Sequence, residues 1–146
     1  MKKFISILSI SFLLIITAAC SNNKVNGKGE NSTDVPIKWV NALIQTDESK
    51  MLNLLNEKSK ALDPKDKADN KETIKHYKLT QWEVNDKDYF YKIEYQDPTD
   101  KDRLKTEEME VVKTDNGWKR TKYGDIYDFD KLVKDLNPKV LRELHD

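Results

Sequence analysis

The stretch that decides the fold class is Tyr89-Phe90-Tyr91-Lys92-Ile93-Glu94-Tyr95-Gln96, past the middle of the chain. Tyr89, Tyr91, Ile93 and Tyr95 alternate with Phe90 and three polar residues, and this period of two is typical of a β-strand with one buried face. The pattern therefore predicts a strand over residues 89–96, with the tyrosines and Ile93 facing a core.

Further strands are predicted on both sides of this one. Residues 78–85 alternate loosely before it, and residues 103–114 and 118–123 follow it. A turn beginning at Asp97-Pro98 separates the second strand from the third. Successive strands with such short connections indicate an antiparallel meander of about four strands.

The last hairpin has the clearest turn signal. Thr114-Asp115-Asn116-Gly117 fits a type I turn closed by a left-handed glycine, which would give a three-residue loop. Counting outward from that loop predicts that Val111 lies opposite Thr121 and that Glu110 lies opposite Lys122.

Helical patterns occur before and after the meander. Apolar residues recur at helical spacing over residues 36–46, and Asp47 with Glu48 places negative charge at the start of a second helix. A short helix is also predicted over residues 71–77. Two helical stripes follow the meander, one with Leu132, Val133 and Leu136, the other with Val140, Leu141 and Leu144.

Together these elements predict one α+β domain over residues 36–146. Its N-terminal helices would pack on a bent antiparallel meander of about four strands, and C-terminal helices would follow. The whole chain has 146 residues, a length that suits a single domain with one modest core.

The N-terminus has the layout of a secretory signal peptide. Lys2 and Lys3 precede an uncharged, mostly apolar run over residues 4–16, and small residues then lead to Cys20. As a helix this run would measure about 20 Å, which is shorter than the bilayer core of about 30 Å. We therefore expect residues 1–19 to be removed rather than to remain as a membrane span.

Cys20 is the only cysteine of the chain and stands at the predicted cleavage point. The sequence Thr17-Ala18-Ala19-Cys20 resembles the lipobox of bacterial lipoproteins, in which Leu is more usual at the position of Thr17. The resemblance implies that the Cys20 thiol takes a diacylglyceryl group, with palmitate among the acyl chains, and that Cys20 becomes the new N-terminus. The mature protein would then be anchored to the cell membrane outside the cytoplasm.

Residues 20–35 are almost entirely polar and are predicted to form a flexible tether between the lipid and the domain. Only three of the 26 basic residues are arginine, and asparagine is frequent. This composition, with no cysteine left for a disulfide within the domain, favours the cell envelope of a Gram-positive bacterium.

One family resemblance runs through the predicted domain. Two helices joined at Asp47, a polar connector and a meander that ends in Asn116-Gly117-Trp118-Lys119 resemble the nuclear transport factor 2-like, or cystatin-like, domains of many small bacterial lipoproteins. The segment Trp39-Val40-Asn41-Ala42-Leu43 and the strand at residues 89–95 carry the same likeness. The resemblance implies a strongly bent sheet that wraps a helix and forms a cone around a ligand or a core.

Composition and spacing argue against several classes of function. The 26 Lys and Arg residues balance 26 Asp and Glu, whereas a nucleic-acid-binding domain would be clearly basic. His76 and His145 are 69 positions apart, without zinc-ligand spacing or a nucleophile motif. Two aspartate-rich loops lack the calcium-loop order and are typical of turns and helix caps. We therefore predict no catalytic residue, no metal ligand, no cofactor and no nucleic-acid partner.

The aromatic residues of the first two strands are the main binding candidates. Trp82, Tyr91 and Tyr95 would line a pocket if the sheet is open, whereas a closed sheet makes such residues part of the core. The predicted function is a non-catalytic binding module with the membrane and an envelope protein as partners. The alternatives are a carrier of a small apolar or aromatic ligand and an isomerase or dehydratase-type enzyme, for which Glu94 or Glu108 would have to face inward.

Overall fold

The computed structural model describes residues 31–146, and its fold is α+β, as the sequence predicts. The elements in chain order are α1 (Asp34–Ile44), α2 (Glu48–Leu54), β1 (Tyr77–Asn85), β2 (Asp88–Asp97), β3 (Arg103–Thr114), β4 (Gly117–Arg120), α3 (Phe129–Val133) and β5 (Pro138–Arg142). The strands form one antiparallel sheet in the order β4-β3-β2-β1-β5. Among residues 31–146, no helix combines the length and the hydrophobicity that a membrane crossing requires.

The central strand β2 carries the aromatic stripe that was read from the sequence. Tyr91 and Ile93 are completely buried, and Tyr95 is 3% exposed. They belong to the same core cluster as Trp39 and Val40 of α1. The predicted alternation is confirmed, because the odd-numbered positions of β2 face the helices.

The N-terminal helices begin next to acidic residues. Asp47 caps α2, since its carboxylate accepts a hydrogen bond of 3.0 Å from the Lys50 N–H. Helix α1 begins at Asp34, and Pro36 lies in its first turn, where a missing N–H costs no helical hydrogen bond. The packed chain begins at Ser32, which is already buried. Buried residues of the described chain therefore include Ser32 and Val35 as well as residues after position 36.

The predicted register of the last hairpin is wrong. Thr114 lies opposite Gly117 and Val111 opposite Arg120, so that the loop has two residues. The Thr114 hydroxyl donates to the Gly117 carbonyl at 2.8 Å and accepts from the Asn116 N–H at 3.1 Å, which closes this tighter turn. Gly117 has the expected left-handed backbone, with φ 94°. Because side chains alternate along a strand, the shift of one residue turns Arg120 inward.

The predicted helix over residues 71–77 is also wrong. This segment forms neither helix nor strand until β1 begins at Tyr77. The connector before it is tied to the end of α1, because the Asp69 N–H donates to the Gln45 carbonyl at 2.9 Å and the Asn70 amide donates to the Ile44 carbonyl at 3.0 Å. Within the segment, the Ile74 N–H donates to Asn41 Oδ1 and the Glu72 carbonyl accepts from Gln45 Nε2, so tertiary hydrogen bonds take the place of the local bonds of a helix.

The second predicted C-terminal helix is a strand. Val140 and Leu141 lie in β5, and Val140 is opposite Thr80 of β1. A short apolar run fits the helical and the strand period equally well, and the free edge of β1 provides backbone partners for a strand. The first predicted C-terminal helix exists as α3, with five residues.

Helix α3 covers part of the outer face of the sheet. Phe129 and Val133 form a small second core with Phe90 of β2, and Trp82 of β1 packs against it. The Phe129 ring meets the ring of Trp82 edge-on at a centroid distance of 5.4 Å and that of Phe90 at 5.9 Å. This cover explains why the otherwise polar face of β2 contains Phe90.

Candidate functional site

The inner face of the sheet is enclosed, because Tyr91 and Tyr95 belong to the same buried cluster as Trp39 and Val40 of α1. The Tyr91 hydroxyl lies 2.7 Å from Ser32 Oγ and accepts a hydrogen bond of 2.5 Å from Gln81 Nε2. Burial raises the pKa of Tyr91 and of Tyr95 above the ordinary value for tyrosine. Both tyrosines are therefore core residues, and the hydroxyl of Tyr91 has its partners inside the protein.

The third aromatic candidate lies on the opposite face. Trp82 pairs with Phe90 in the β1–β2 ladder and packs under α3. Tyr91 lies opposite Gln81, the residue before Trp82 in β1. Because adjacent residues of a strand point to opposite faces, Tyr91 and Trp82 lie on different sides of the sheet. The structure thus brings Tyr91 and Tyr95 together in the core and separates both from Trp82.

An ion pair joins the buried Arg120 of β4 to the half-buried Glu107 of β3. Arg120 is 2% exposed, and its guanidinium carbon is 4.1 Å from the ring centroid of Trp39. Arg120 Nη1 lies 3.4 Å from a Glu107 carboxylate oxygen. Its other nitrogens donate to the carbonyls of Lys122 at 3.0 Å and Gly124 at 2.7 Å. One side chain thereby joins α1, β3 and the loop after β4.

The electrostatics of this pair indicate a structural role. Burial raises the pKa of the Glu107 carboxyl, and the charge of Arg120 opposes that rise. Burial lowers the pKa of Arg120, and Glu107 opposes that fall. A catalytic acid with a raised pKa needs access to a substrate, whereas Glu107 is held against a buried guanidinium. In the sequence, the length of the last hairpin loop is the feature that bears on the position of Arg120. A two-residue loop turns Arg120 inward, whereas a three-residue loop would turn it outward.

The two glutamates considered for an enzyme lie on the outer face. Glu108 forms an ion pair of 3.2 Å with Lys92, its partner across β2 and β3. Glu94 lies opposite Thr106 in the same ladder. Neither carboxylate faces the core, so neither has the position that the enzymatic alternative required.

The described residues form a groove between the two N-terminal helices. It has a volume of about 360 Å³, and it lies between α1, α2 and the connector at Thr73. The buried side chains of Ala42 and Leu54 form its apolar floor. This surface differs from the aromatic pocket expected from the sequence, because helices rather than strands supply its walls.

Amide side chains hold the walls of the groove. Asn41 Oδ1 accepts a hydrogen bond of 2.9 Å from the Ile74 N–H, and Gln45 Nε2 donates to the Glu72 carbonyl at 2.9 Å. Gln45 Oε1 accepts from Lys50 Nζ at 3.2 Å. The groove is therefore a built feature of the fold, fixed by contacts between α1, α2 and the connector.

Lysines supply all the charged side chains among the described residues that line this groove. They are Lys38 and Lys50, and the ammonium of Lys50 also lies 3.1 Å from the Asp47 carboxylate. An apolar floor with basic residues at its rim suits a ligand that combines an apolar group with a negative charge.

The remaining polar clusters have structural explanations. Asp97 accepts hydrogen bonds from Thr99 and Lys105 in the β2–β3 turn, and Asp128 precedes α3 with φ 53°. Within residues 31–146, no group of three or more His, Cys, Asp or Glu side chains is arranged to hold a metal ion.

A second groove of about 470 Å³, beside the start of β5, is lined by charges of both signs, Glu83, Asp135 and Lys139.

Cys20, the predicted signal peptide and most of the predicted tether lie outside the described residues. Lipidation and the likeness to nuclear transport factor 2-like domains therefore stay predictions from the sequence. Comparisons with protein-family models, with curated proteins and with solved structures find no match for this chain.

Proposed function

We propose that this protein is a lipid-anchored extracytoplasmic module that binds a protein of the cell envelope and catalyses no reaction. The observation that carries the proposal is the filled inner face of the sheet, where Tyr91 and Tyr95 are enclosed. A carrier or an enzyme built on an open cone would need a cavity at that place. A packed interior leaves the outer surfaces for recognition.

The groove between α1 and α2 is the surface that suits this role best. Lys38 and Lys50 at its rim complement an acidic residue, and its apolar floor accepts an apolar side chain beside that residue. Three of the side chains that line the groove, Lys50, Asn53 and Thr73, are exposed to solvent. A small ligand in it would keep much of its surface in water, whereas a protein surface would also cover the rim.

The predicted anchor supports a role at the membrane surface. Residues 20–31 would span at most about 40 Å when fully extended, which keeps the module close to the bilayer. Confinement to one membrane raises the effective concentration of a partner on that membrane. A modest groove is then sufficient for binding.

Photo-crosslinking in intact cells tests the proposed surface. A photoreactive residue is placed at Asn53 or at Thr73, both exposed residues of the groove, in the full-length protein. The control position is Thr106, an exposed residue on the outer face of β3. We expect one discrete protein adduct from both groove positions, absent from Thr106 and weakened by Lys38→Glu or Lys50→Glu.

Three results of this experiment would speak against the proposal. An adduct of equal yield from Thr106 would show that the contact is not specific to the groove. An adduct whose yield is the same in Lys38→Glu and Lys50→Glu would show that the two lysines do not contribute to binding. An adduct with the mass of a small molecule would favour the carrier.

A further inference from the structure

The fold brings His76 and His145 together, although they are 69 positions apart in the chain. Their ring centroids are 6.3 Å apart, the rings are inclined by 55°, and both residues are exposed. His76 immediately precedes β1, and His145 lies in the tail after β5. The antiparallel pairing of these two strands therefore sets the approach of the two imidazoles.

The residues beside both histidines are tied to one another. The guanidinium carbon of Arg142 lies 4.2 Å from the ring centroid of Tyr77. Arg142 Nη2 also donates to the carbonyls of Lys75 at 3.3 Å and Asp146 at 3.0 Å. Since Lys75 and Tyr77 flank His76, and Asp146 follows His145, one side chain holds the two histidine-bearing segments in register.

We propose that His76 and His145 together bind one divalent transition-metal ion, of the class Cu²⁺, Ni²⁺ or Zn²⁺, each through one imidazole nitrogen. Metal–nitrogen bonds of about 2.0–2.1 Å place two imidazole centroids on one ion about 5–6.5 Å apart. The observed spacing lies in this range, near its upper end, and both side chains are exposed and can change rotamer to direct a nitrogen at a shared ion. Imidazole is a preferred ligand of these ions, and Cu²⁺ binds most strongly among them.

The site is expected to be exchangeable. Two protein ligands leave the other coordination positions to water, because the described residues provide no group of three ligands. Only a neutral ring nitrogen binds the ion, so protons compete with the metal for the site. The charged neighbours on the two segments are Lys75, Arg142, Glu143 and Asp146, and their opposite signs nearly cancel.

Titration with Cu²⁺ tests the proposal on the mature protein, purified without a histidine tag. Calorimetry of the parent is compared with His76→Ala, His145→Ala and the double variant. We expect one ion per chain at the pair and a loss of affinity of about tenfold or more for either single variant. The double variant should lose little beyond the single variants, because each imidazole is half of one chelate.

Two spectroscopic and kinetic readouts separate a shared site from two independent histidines. The electron paramagnetic resonance spectrum of bound Cu²⁺ should show two nitrogen ligands in the parent and fewer in each single variant. Zn²⁺ should slow amide exchange in residues 143–146 of the parent and leave it unchanged in His76→Ala. A loss of less than twofold in either single variant, or independent and additive losses, would overturn the proposal.

Discussion

Arg120 is a buried cation in a domain of modest size, and the hairpin turn before it determines its position. In the ladder it lies opposite Val111, so its side chain points into the core. Desolvation of a guanidinium costs several kcal/mol unless its charge and its donors are paired. Glu107, the Trp39 ring and two loop carbonyls provide those partners.

Replacement of Arg120 by Ala should destabilise the domain by about 3–5 kcal/mol, because the half-buried Glu107 would lose its partner and the Trp39 ring would lose the guanidinium packed on it. Urea denaturation measures the free energy of unfolding. Arg103→Ala is the matched control. The Arg103 side chain is 72% exposed and forms a surface ion pair of 3.6 Å with Asp100, so its removal should cost less than about 1 kcal/mol. An equally small loss for Arg120→Ala would contradict the buried ion pair.

Asp97 stabilises the β2–β3 turn while it is ionised. It is 4% exposed and accepts a hydrogen bond of 2.7 Å from Lys105 Nζ. Burial alone would raise the pKa of Asp97, but the hydrogen bonds from Lys105 and Thr99 hold it below the ordinary value. An acid with a lowered pKa in the folded state stabilises the fold above its unfolded pKa of about 3.9, and this stabilisation is lost as the pH falls through the folded value.

The substitution Asp97→Asn should cost about 1–3 kcal/mol at neutral pH. The difference from the parent should shrink as the pH falls from about 5 to 2, which urea unfolding over that range measures. Asp102→Asn in the same turn is the control, because Asp102 is exposed with φ 56°, a conformation that Asn also adopts. A difference that stays constant toward acid pH would show that the charge of Asp97 is not the cause.

At the scale of elements, the two faces of the sheet are covered to different degrees. On the inner face, α1 buries Val35, Trp39 and Val40 in the main core. On the outer face, α3 has five residues and keeps its place mainly through Phe129 and Val133. A helix this short has no stability of its own in water, so its docking depends on these contacts.

Phe129→Ala should therefore release α3 locally while the main core stays folded. Hydrogen–deuterium exchange should become faster in residues 126–136 and change little in α1 and β2. Leu132→Ala on the same helix is the control, because Leu132 is 49% exposed. A uniform increase of exchange throughout α1 and β2 would show instead that both faces unfold as one unit.

Elements with strong local signals could be predicted from the sequence. The alternation of β2, the span of β3 and the start of α2 at Asp47 all depend on neighbouring residues. The strand β5 and the irregular connector over residues 71–76 depend on partners far away in the chain, and the hairpin register depends on a turn that two loop lengths would fit. A short apolar run fits both the helical period and the strand period, so tertiary pairing decides which structure it forms.

The candidate site shows the same division. The sequence placed Tyr91 and Tyr95 on the inner face, but it contained no measure of how closely α1 would approach them. The sequence alone does not separate Trp82 from them, because the face of Trp82 follows from the register between β1 and β2. The groove between α1 and α2 depends on hydrogen bonds from Asn41 and Gln45 to the connector before β1, and no local sequence motif predicts such contacts.

At the scale of the whole molecule, the proposed function has two parts. The lipid anchor predicted at Cys20 would fix the protein to a membrane, and the α+β domain presents a groove with basic residues at its rim. Such an anchor would determine which partners the groove can meet. The function proposed for the domain therefore depends on the anchor as much as on the fold.

Replacement of Cys20 by Ala should release the protein from membranes or leave an unprocessed precursor, because no thiol would remain to take the diacylglyceryl group. Cell fractionation with immunoblotting measures location and size together. Ser21→Ala, the neighbouring substitution, should keep the membrane location. A Cys20→Ala protein that still fractionates with the membrane at its mature size would exclude the lipid anchor.

The most direct measurement is the intact mass of the protein purified from the cells that make it. The account predicts a chain that begins at Cys20 and carries the added mass of a diacylglyceryl group, with or without a third acyl chain on its amine. A chain that begins at an unmodified Cys20, or that retains residues 1–19, would contradict it.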